Sequence, residues 1–497
     1  MGKTVKMLVA LAVMIAAPWA APWLATTLGV SALTAGMIYG AFAMLVSGAL
    51  MASAMPDMAG VDSVAGQKLQ TNKSNTNPVP IIYGEHRLGG NIIFQKTNSA
   101  KNADSSSRGY NRDYWAIMVI SGHDIEEVTK ISANEDALTY SAWSYTDNWH
   151  QEYVHIRYYS ASSSVTDIRN VVWQSDDTAF GAKTGASMGF PSVDIPANCA
   201  FLAVHQAFDA DESKNTSMAN ITAEIKGKKI RTLDSASTIS TTETYSSNPA
   251  EILLDILGEA LAVPDADIDI ASFYDVKTEC ATNGWLCHIA LIRQNNIQSI
   301  IQQILGSCRG TLIHSDNGWK MKVDTKGLTV DKAITDDDIL NQSLAISMKG
   351  SAEIANRVIV KYIDPDDNWL PASVVAEDTA LQTADGQVIE FILDAPACTN
   401  RTQAAQLAEI TLNNIRYSED SLSARVKRTP LNASFSTTVK NADLEVGDII
   451  SINHALLDRV RKFSIMSVKN DQSGAISIDC REYCDTFFKD STGVYLI

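Results

Sequence analysis

Between residues 78 and 235 the apolar positions come in short runs separated by turn-forming clusters, which predicts a mostly β region. Pro78 and Pro80 bias the residues before them to extended geometry, Gly89-Gly90 punctuates the stretch, and an apolar run at 92–94 follows. Strands are predicted at 114–120, 154–159, 171–173, 200–207 and 221–230, with an exposed polar loop at 101–112. The texture changes at Asn248. Asn248, Pro249 and Glu251 supply an N-cap, a proline at the first helical position and an acid at the third; Ile252, Leu253, Ile256, Leu257 and Ala260 then form one stripe. A second helix over 296–308 puts Ile297, Ile300, Ile301, Ile304, Leu305 and Cys308 on one face, with Gly310 placed to end it. A hairpin over 311–323 turns at Asp316-Asn-Gly318. A strand at 358–362 precedes a third helix at 401–416, whose inner face is Ala404, Leu407, Ala408, Thr411 and Ile415. Strands at 449–452, 462–468 and 475–479 close the pattern as a small barrel or sandwich.

The N-terminus has a different pattern. No charged side chain occurs over residues 7–55; Lys3 and Lys6 precede the stretch and Asp57 follows it. That exceeds the ~20 residues that cross a bilayer once and suffices for a helical hairpin. Pro18 and Pro22 interrupt its first half, and small residues fill 25–54, which suits close helix packing in lipid or inside a narrow symmetric tube. Both environments remain open, as does a signal peptide ending near Ala20 and Ala21. The residues expected to face the lumen or membrane are Trp19, Trp23, Leu28, Met37, Phe42, Leu45 and Leu50.

Composition narrows the function classes. A chain of 497 residues implies about two to four domains, and the element pattern points to three or four. Its net charge of -17 argues against tight nucleic-acid binding through a basic face, yet lets nucleic acid slide past without adhering. Seven cysteines, odd in number and widely spread, predict reduced, mostly buried thiols and assembly in a cytoplasm.

Six motifs in order carry a resemblance. They are Pro78 to Phe94 with its Tyr83-Gly-Glu-His-Arg87 core; Asn248-Pro-Ala-Glu-Ile-Leu-Leu-Asp-Ile-Leu257; Ser307-Cys-Arg-Gly310; Asn356-Arg-Val-Ile-Val-Lys-Tyr-Ile-Asp-Pro-Asp-Asp-Asn-Trp369; Cys398-Thr-Asn-Arg-Thr-Gln-Ala404; and Val446-Gly-Asp-Ile-Ile450. Together they resemble the tail-tip hub proteins (host-specificity, protein J-like) of lambda-like siphophages, across roughly residues 77–480. The motif residues Asn248, Pro249, Cys308, Arg309, Asn356, Asp364, Pro365, Trp369, Gly447 and Asp448 are expected to be structural. The resemblance implies a homotrimer that closes a ring below the tail tube. Its partners would be a distal tail protein ring, the tape-measure protein and tail fibre or other tail-tip proteins, with phage DNA passing through the lumen. The long C-terminal fibre regions of lambda-like relatives do not follow Ile497 here, so receptor binding would fall to a separate protein.

Chemistry is sparse. His150, Glu152 and His155 are the closest approach to a metal set, and no HExxH pair occurs. Asp336-Asp-Asp338 and the trio Asp364, Asp366 and Asp367 offer clustered carboxylates without the ligand spacing of a known calcium loop. No catalytic, cofactor-binding or metal residue is assigned, no cofactor is expected, and the chain is read as no enzyme.

The resulting expectation is an α+β, β-dominated multidomain protein. It comprises an apolar helical segment (1–59), a linker (60–76), a β-rich hub domain (77–245), a helix–helix–hairpin α+β domain (246–345), an α+β hub domain (346–430) and a barrel-like β domain (431–497). The expected role is a virion tail-tip hub that anchors fibres and opens for DNA ejection, with host membrane contact through the N-terminus. The alternative is a bacterial envelope protein with an N-terminal membrane hairpin and a periplasmic β domain. Deleting residues 7–55 is expected to give tails that assemble badly, or that adsorb without delivering DNA, as read by plaque counts and DNA release; normal infection would exclude that role.

Overall fold

A computed structural model of the chain describes residues 78–97, 113–141, 144–146, 154–174, 183–207, 218–315, 318–348, 354–418, 429–457, 459–470 and 474–488. The apolar segment with Trp19, Trp23, Leu28, Met37, Phe42, Leu45 and Leu50, the linker at 60–76, the polar loop at 101–112, and His150 and Glu152 lie outside the described residues. What is described is β-dominated with few helices.

The first region builds two sheets. One has the antiparallel order Asn91–Thr97, Asp113–Ser121, Ala200–Ala207, Val154–Tyr159, Ser144–Thr146, Thr139–Ser141. The other runs Thr238–Tyr245, Ile221–Ser235, Ile125–Ala133, Asp136–Ala137, with Glu85–Leu88 also paired to the long strand. The apolar run at 114–120 does not alternate because both of its faces are covered. Ala116, Met118 and Ile120 pack toward the second sheet, whereas Trp115, Ile117 and Val119 enter a separate core with Trp173, Phe190 and Phe201.

The middle region holds three helices: α1 (Pro249–Asp255), continued by a π-turn over Ile256–Ala260, α2 (Ile270–Asn283) and α3 (Ile297–Cys308). Asn248 caps α1 by accepting from the Ala250 N–H, and Asn296 caps α3 by accepting from the Gln298 N–H. Helix α2 has no counterpart in the apolar periodicity, since its buried residues are only Phe273, Val276 and Cys280. The three helices cover a hairpin of Gly310–Ser315 and Gly318–Val323. Strand Ile289–Leu291 pairs with Ile81–Tyr83, which fastens this region to the first. Gly84 sits at that join with φ 67, and a Cβ there would lie 2.5 Å from the Cys287 carbonyl oxygen.

In the third region Arg357–Asp364 lies between antiparallel Leu370–Glu377 and parallel Glu390–Asp394. The short helix α4 (Thr379–Asp385) connects them, and α5 (Arg401–Arg416) covers one face. Val358, Val360 and Tyr362 meet Ala404, Leu407, Ala408 and Leu412 there, as the stripe on the helix requires.

The last sheet has the order Lys332–Ile334, Ile449–Ile452, Arg461–Asn470, Ile476–Glu482, Leu431–Thr437, Ala345–Met348. Two of its strands thus come from residues 332–348, ahead of the third region in the chain. Its core is built on Phe435, Phe463, Ile450, Ile478 and Cys480. Beside that core Arg461 and Glu482 form a fully buried ion pair, Nη1 to Oε1 at 2.7 Å. The same carboxylate accepts from the Leu431 N–H at 2.9 Å and the Ser418 hydroxyl at 3.3 Å.

Removing one charge of that pair strands the other in a dry core. Glu482→Gln is expected to destabilise the C-terminal sheet by about 3–5 kcal/mol. Replacing both residues, Arg461→Met with Glu482→Leu, should recover most of the loss. Hydrogen exchange over Ile476–Glu482 measures both, and equal protection in Glu482→Gln and the unmodified chain would contradict the argument.

Candidate functional site at the domain junctions

The motif residues do not meet in one cleft. Asn248, Pro249, Asn356, Asp364 and Cys308 order caps and turns within a region, whereas Trp369, Asp448 and Arg309 contact remote elements. Asn248 accepts from the Ala250 N–H and donates through Nδ2 to the Lys277 carbonyl at 3.0 Å, tying α1 to α2. Pro249 follows as the first residue of α1, where its missing N–H costs nothing. Asn356 is fully buried with its amide satisfied. It donates to Asp385 Oδ2 and the Gln387 carbonyl, both at 2.9 Å, and accepts from the Ile389 N–H at 2.8 Å.

Strand Arg357–Asp364 ends at the Asp364-Pro365 turn. There Asp364 Oδ1 accepts from the Asp366 N–H and Oδ2 from the Tyr362 hydroxyl, each at 3.0 Å. Asn368 and Trp369 then take left-handed backbone conformations, φ 54 and 61. This kink delivers both to the first region: Arg87 Nη1 donates to Asn368 Oδ1 at 3.2 Å, and the Trp369 indole stacks on His86 at 5.2 Å. The acidic loop is therefore a docking latch.

Three histidines lie around the strands Ile81–Tyr83 and Glu85–Leu88. His288 Nδ1 accepts from the Glu85 N–H at 2.7 Å, and His123 Nε2 accepts from the Ile82 N–H at 3.0 Å. Burial, helped by nearby His86, pushes His288 down to about 4. Burial likewise lowers His86 and His123. Imidazoles that accept backbone N–H bonds must stay neutral at those nitrogens, so geometry and protonation agree.

Gly447 and Asp448 close the join between the last sheet and the hairpin. Gly447 takes φ 85, and Asp448 accepts from Lys322 Nζ and from the Glu445 N–H, the latter at 2.8 Å. Lys320 Nζ reaches Glu445 at 2.9 Å alongside. Cys308 ends α3 and is buried; Arg309, its left-handed cap, spreads over the rings of Trp285 at 4.8 Å and Phe488 at 5.2 Å. Gln403, inside the Cys398-to-Ala404 motif, donates to the carbonyls of Leu286 at 2.9 Å and Ser307 at 2.8 Å. At the first join, Lys228 binds Asp255 at 2.6 Å, whose Oδ2 also accepts from the Tyr83 hydroxyl at 2.7 Å. His86, Arg87, Lys228, His288, Lys322 and Gln403 are thus junction residues that periodicity did not single out.

The seven cysteines are free and buried. Burial pushes the Cys398 thiol up to about 11 and raises Cys287, while Cys280 is raised by its contact with the Cys308 thiol and then by burial. Such thiols are poor nucleophiles. The clustered acids are engaged locally. Asp338 accepts from the Thr335 N–H, the Thr335 hydroxyl and Lys440, and Lys440 holds it down to about 2. His155 stacks on His205, which stacks on Trp115 at 3.8 Å. Among the described residues no group of three metal-ligating side chains comes together.

Opposite α5, the three-stranded sheet presents an outer face. Val375, Ile359 and Ile392 make an apolar row, and Val375 and Ile392 are 45% and 49% exposed. The ion-paired row Glu377, Arg357, Glu390 flanks it on one side and the pair Lys361–Asp394 on the other. An apolar row rimmed by charge is the composition of a protein contact.

A family model described as "Putative phage tail protein" (Phage-tail_3) matches residues 296–468. No curated protein matches the chain. Among solved structures, a chain from the virion of a native gene transfer agent particle is similar at 16% identity and a TM-score of 0.60. That match covers 96% of this chain and 99% of the other, so the two share a fold. A prophage MuSo2 43 kDa tail protein from Shewanella oneidensis (8% identity, TM-score 0.28, covering 72% and 98%) overlays too loosely to argue from. The same holds for a tail protein from Neisseria meningitidis MC58 (7%, 0.30, covering 82% and 97%).

Because His288, His86 and His123 have folded-state pKa values below that of a free imidazole, their contribution to stability is complete above about pH 6.5 and is lost as pH falls toward about 4. For His288 alone the loss is roughly 3 kcal/mol. Thermal melts across that window should show the decline. His288→Gln, which keeps an acceptor but cannot titrate, should flatten it; an unchanged slope would clear His288 of the role.

Proposed function

We propose that the chain is a structural component of a phage-type tail, the hub at its distal tip. In this reading three copies close a ring below the tube, joined to a distal tail protein ring above and to fibres or other tail-tip proteins outside, with the tape-measure protein ending against them. The hub opens for DNA ejection and catalyses no reaction. The observation that carries the reading is a fold shared with a gene transfer agent virion chain over nearly the whole of both chains, with residues 296–468 matching a phage tail protein family.

The physics of the junctions supports it. The buried Lys228–Asp255 ion pair, a stacked Trp369–His86 contact and the Gln403 bridge lock separate regions together, as a part that bears load between neighbours requires. The row of Val375, Ile359 and Ile392 supplies an outward apolar face for a neighbouring subunit. A symmetric ring needs more than one such face per chain, each side of a contact usually contributing to about 1,000 Å² or more. The acidic balance suits a passage to which DNA does not adhere. Among the described residues no helix is long and apolar enough to cross a membrane; the charge-free stretch 7–55 lies outside them.

Mass photometry and electron microscopy of the purified full chain are expected to give trimers with threefold projections. Val375→Lys combined with Ile392→Lys should shift the chain toward monomer while leaving its melting temperature nearly unchanged. Wild-type protein that stays monomeric at micromolar concentration, or that appears in the membrane fraction when expressed alone, would count against the hub.

A further inference from the structure

Where α3, the hairpin, α5 and the last sheet converge, they enclose a cavity of about 170 Å³. Its walls are mainly apolar and include Ile301, Leu305, Leu312, Leu407, Ile465 and Met466. A void of about 150 Å³ with such a lining holds a benzene-sized molecule. The cavity also contains charge. Arg481, on strand Ile476–Glu482, lines it while only 7% exposed, and among the described residues its Nε and Nη1 have no hydrogen-bond partner. Arg309 lines it too, with Nη2 donating to the Asp324 carbonyl and Nε unpartnered.

The counter-charges can be named. Asp324 is the acid that acts on both guanidinium groups. Lys322 also lines the space, but its ammonium is held by Asp448 and Glu445. Glu279 acts on Arg309 as well, so Arg309 has counter-charge of its own, whereas Arg481 keeps two N–H-bearing nitrogens without an acceptor in an apolar enclosure. An arginine cannot relieve this by losing its proton, so those nitrogens call for an acceptor from outside.

We propose that this cavity is a binding site for a small amphipathic monocarboxylate, its apolar body among the leucines and isoleucines and its carboxylate paired with Arg481. The planar fork of a guanidinium matches a carboxylate through two parallel hydrogen bonds, and the low dielectric strengthens them. The volume fits a body of about six carbons, as in a short fatty acid or in the last apolar residue of a protein chain with its free C-terminus. Those two sources share one chemistry. A neutral ligand of the same shape leaves Arg481 unpaired.

Calorimetric titration and thermal shift on the purified full chain test the site, with hexanoate and N-acetyl-leucine as probes and hexanamide and N-acetyl-leucinamide as neutral counterparts. Expected is binding of a carboxylate in the millimolar range or tighter, with the amide weaker by about tenfold or more. Arg481→Met should lose the preference for the acid, whereas Arg481→Lys should keep part of it. Met466→Trp, which fills the space from outside the core of the last sheet, should abolish binding of all probes. Tighter binding of hexanoate identifies a free acid, and tighter binding of N-acetyl-leucine identifies a chain terminus. The inference is overturned if acid and amide bind alike, if folded Arg481→Met binds the acid as the wild type does, or if no carboxylate binds.

Discussion

A polar group taken out of water must find a partner, and in this chain the partners sit in distant segments. Gln403 illustrates the constraint. Its side chain is buried, donates to carbonyls on either side of the middle region and accepts from the Leu286 N–H at 3.2 Å. The bond to Ser307 ties helix α5, which covers its own sheet, to α3 as well. The same logic recurs at Lys228 with Asp255 and at Lys322 with Asp448. Apolar burial supplies the driving force for folding; these bridges decide which surfaces face each other.

That division explains how motif residues that line no common cleft can still have fixed positions. The Asp364-Pro365 turn resembles a metal loop in composition, but its acids organise the turn and its tryptophan lands on His86. Asp336, Asp337 and Asp338 behave likewise: a capping carboxylate at Asp338, a lysine across from it and no third ligand among the described residues. The residues hold a shape, and that shape leaves the outer sheet face with Val375 and Ile392 exposed. Neutral His288 also makes the join between the first and middle regions sensitive to acid, because protonation removes the acceptor of the Glu85 N–H.

Some elements were legible because one local rule sufficed. Helix α5 runs from Arg401 to Arg416 as its stripe and Asn400 cap require, and α1 and α3 begin at their asparagine caps. Helix α2 was not legible. It buries three side chains, too few for a stripe, although Asp269 caps its start and Gly284 at φ 68 ends it. Strands Lys332–Ile334 and Ala345–Met348 were equally silent, since pieces of three and four residues gain stability only from partners about a hundred residues away.

By itself the sequence determined the β-dominated character, the three capped helices, the reduced thiols and the order of the motifs, because each follows from period, capping chemistry or composition over a few neighbouring residues. Only the tertiary structure decided that Trp369 stacks on His86, that Asp448 belongs to Lys322, and that Arg309 and Arg481 share one apolar cavity with Asp324. Contacts across more than a hundred residues leave no local pattern, and whether a buried charge is paired depends on where the chain returns, which no window of the sequence contains.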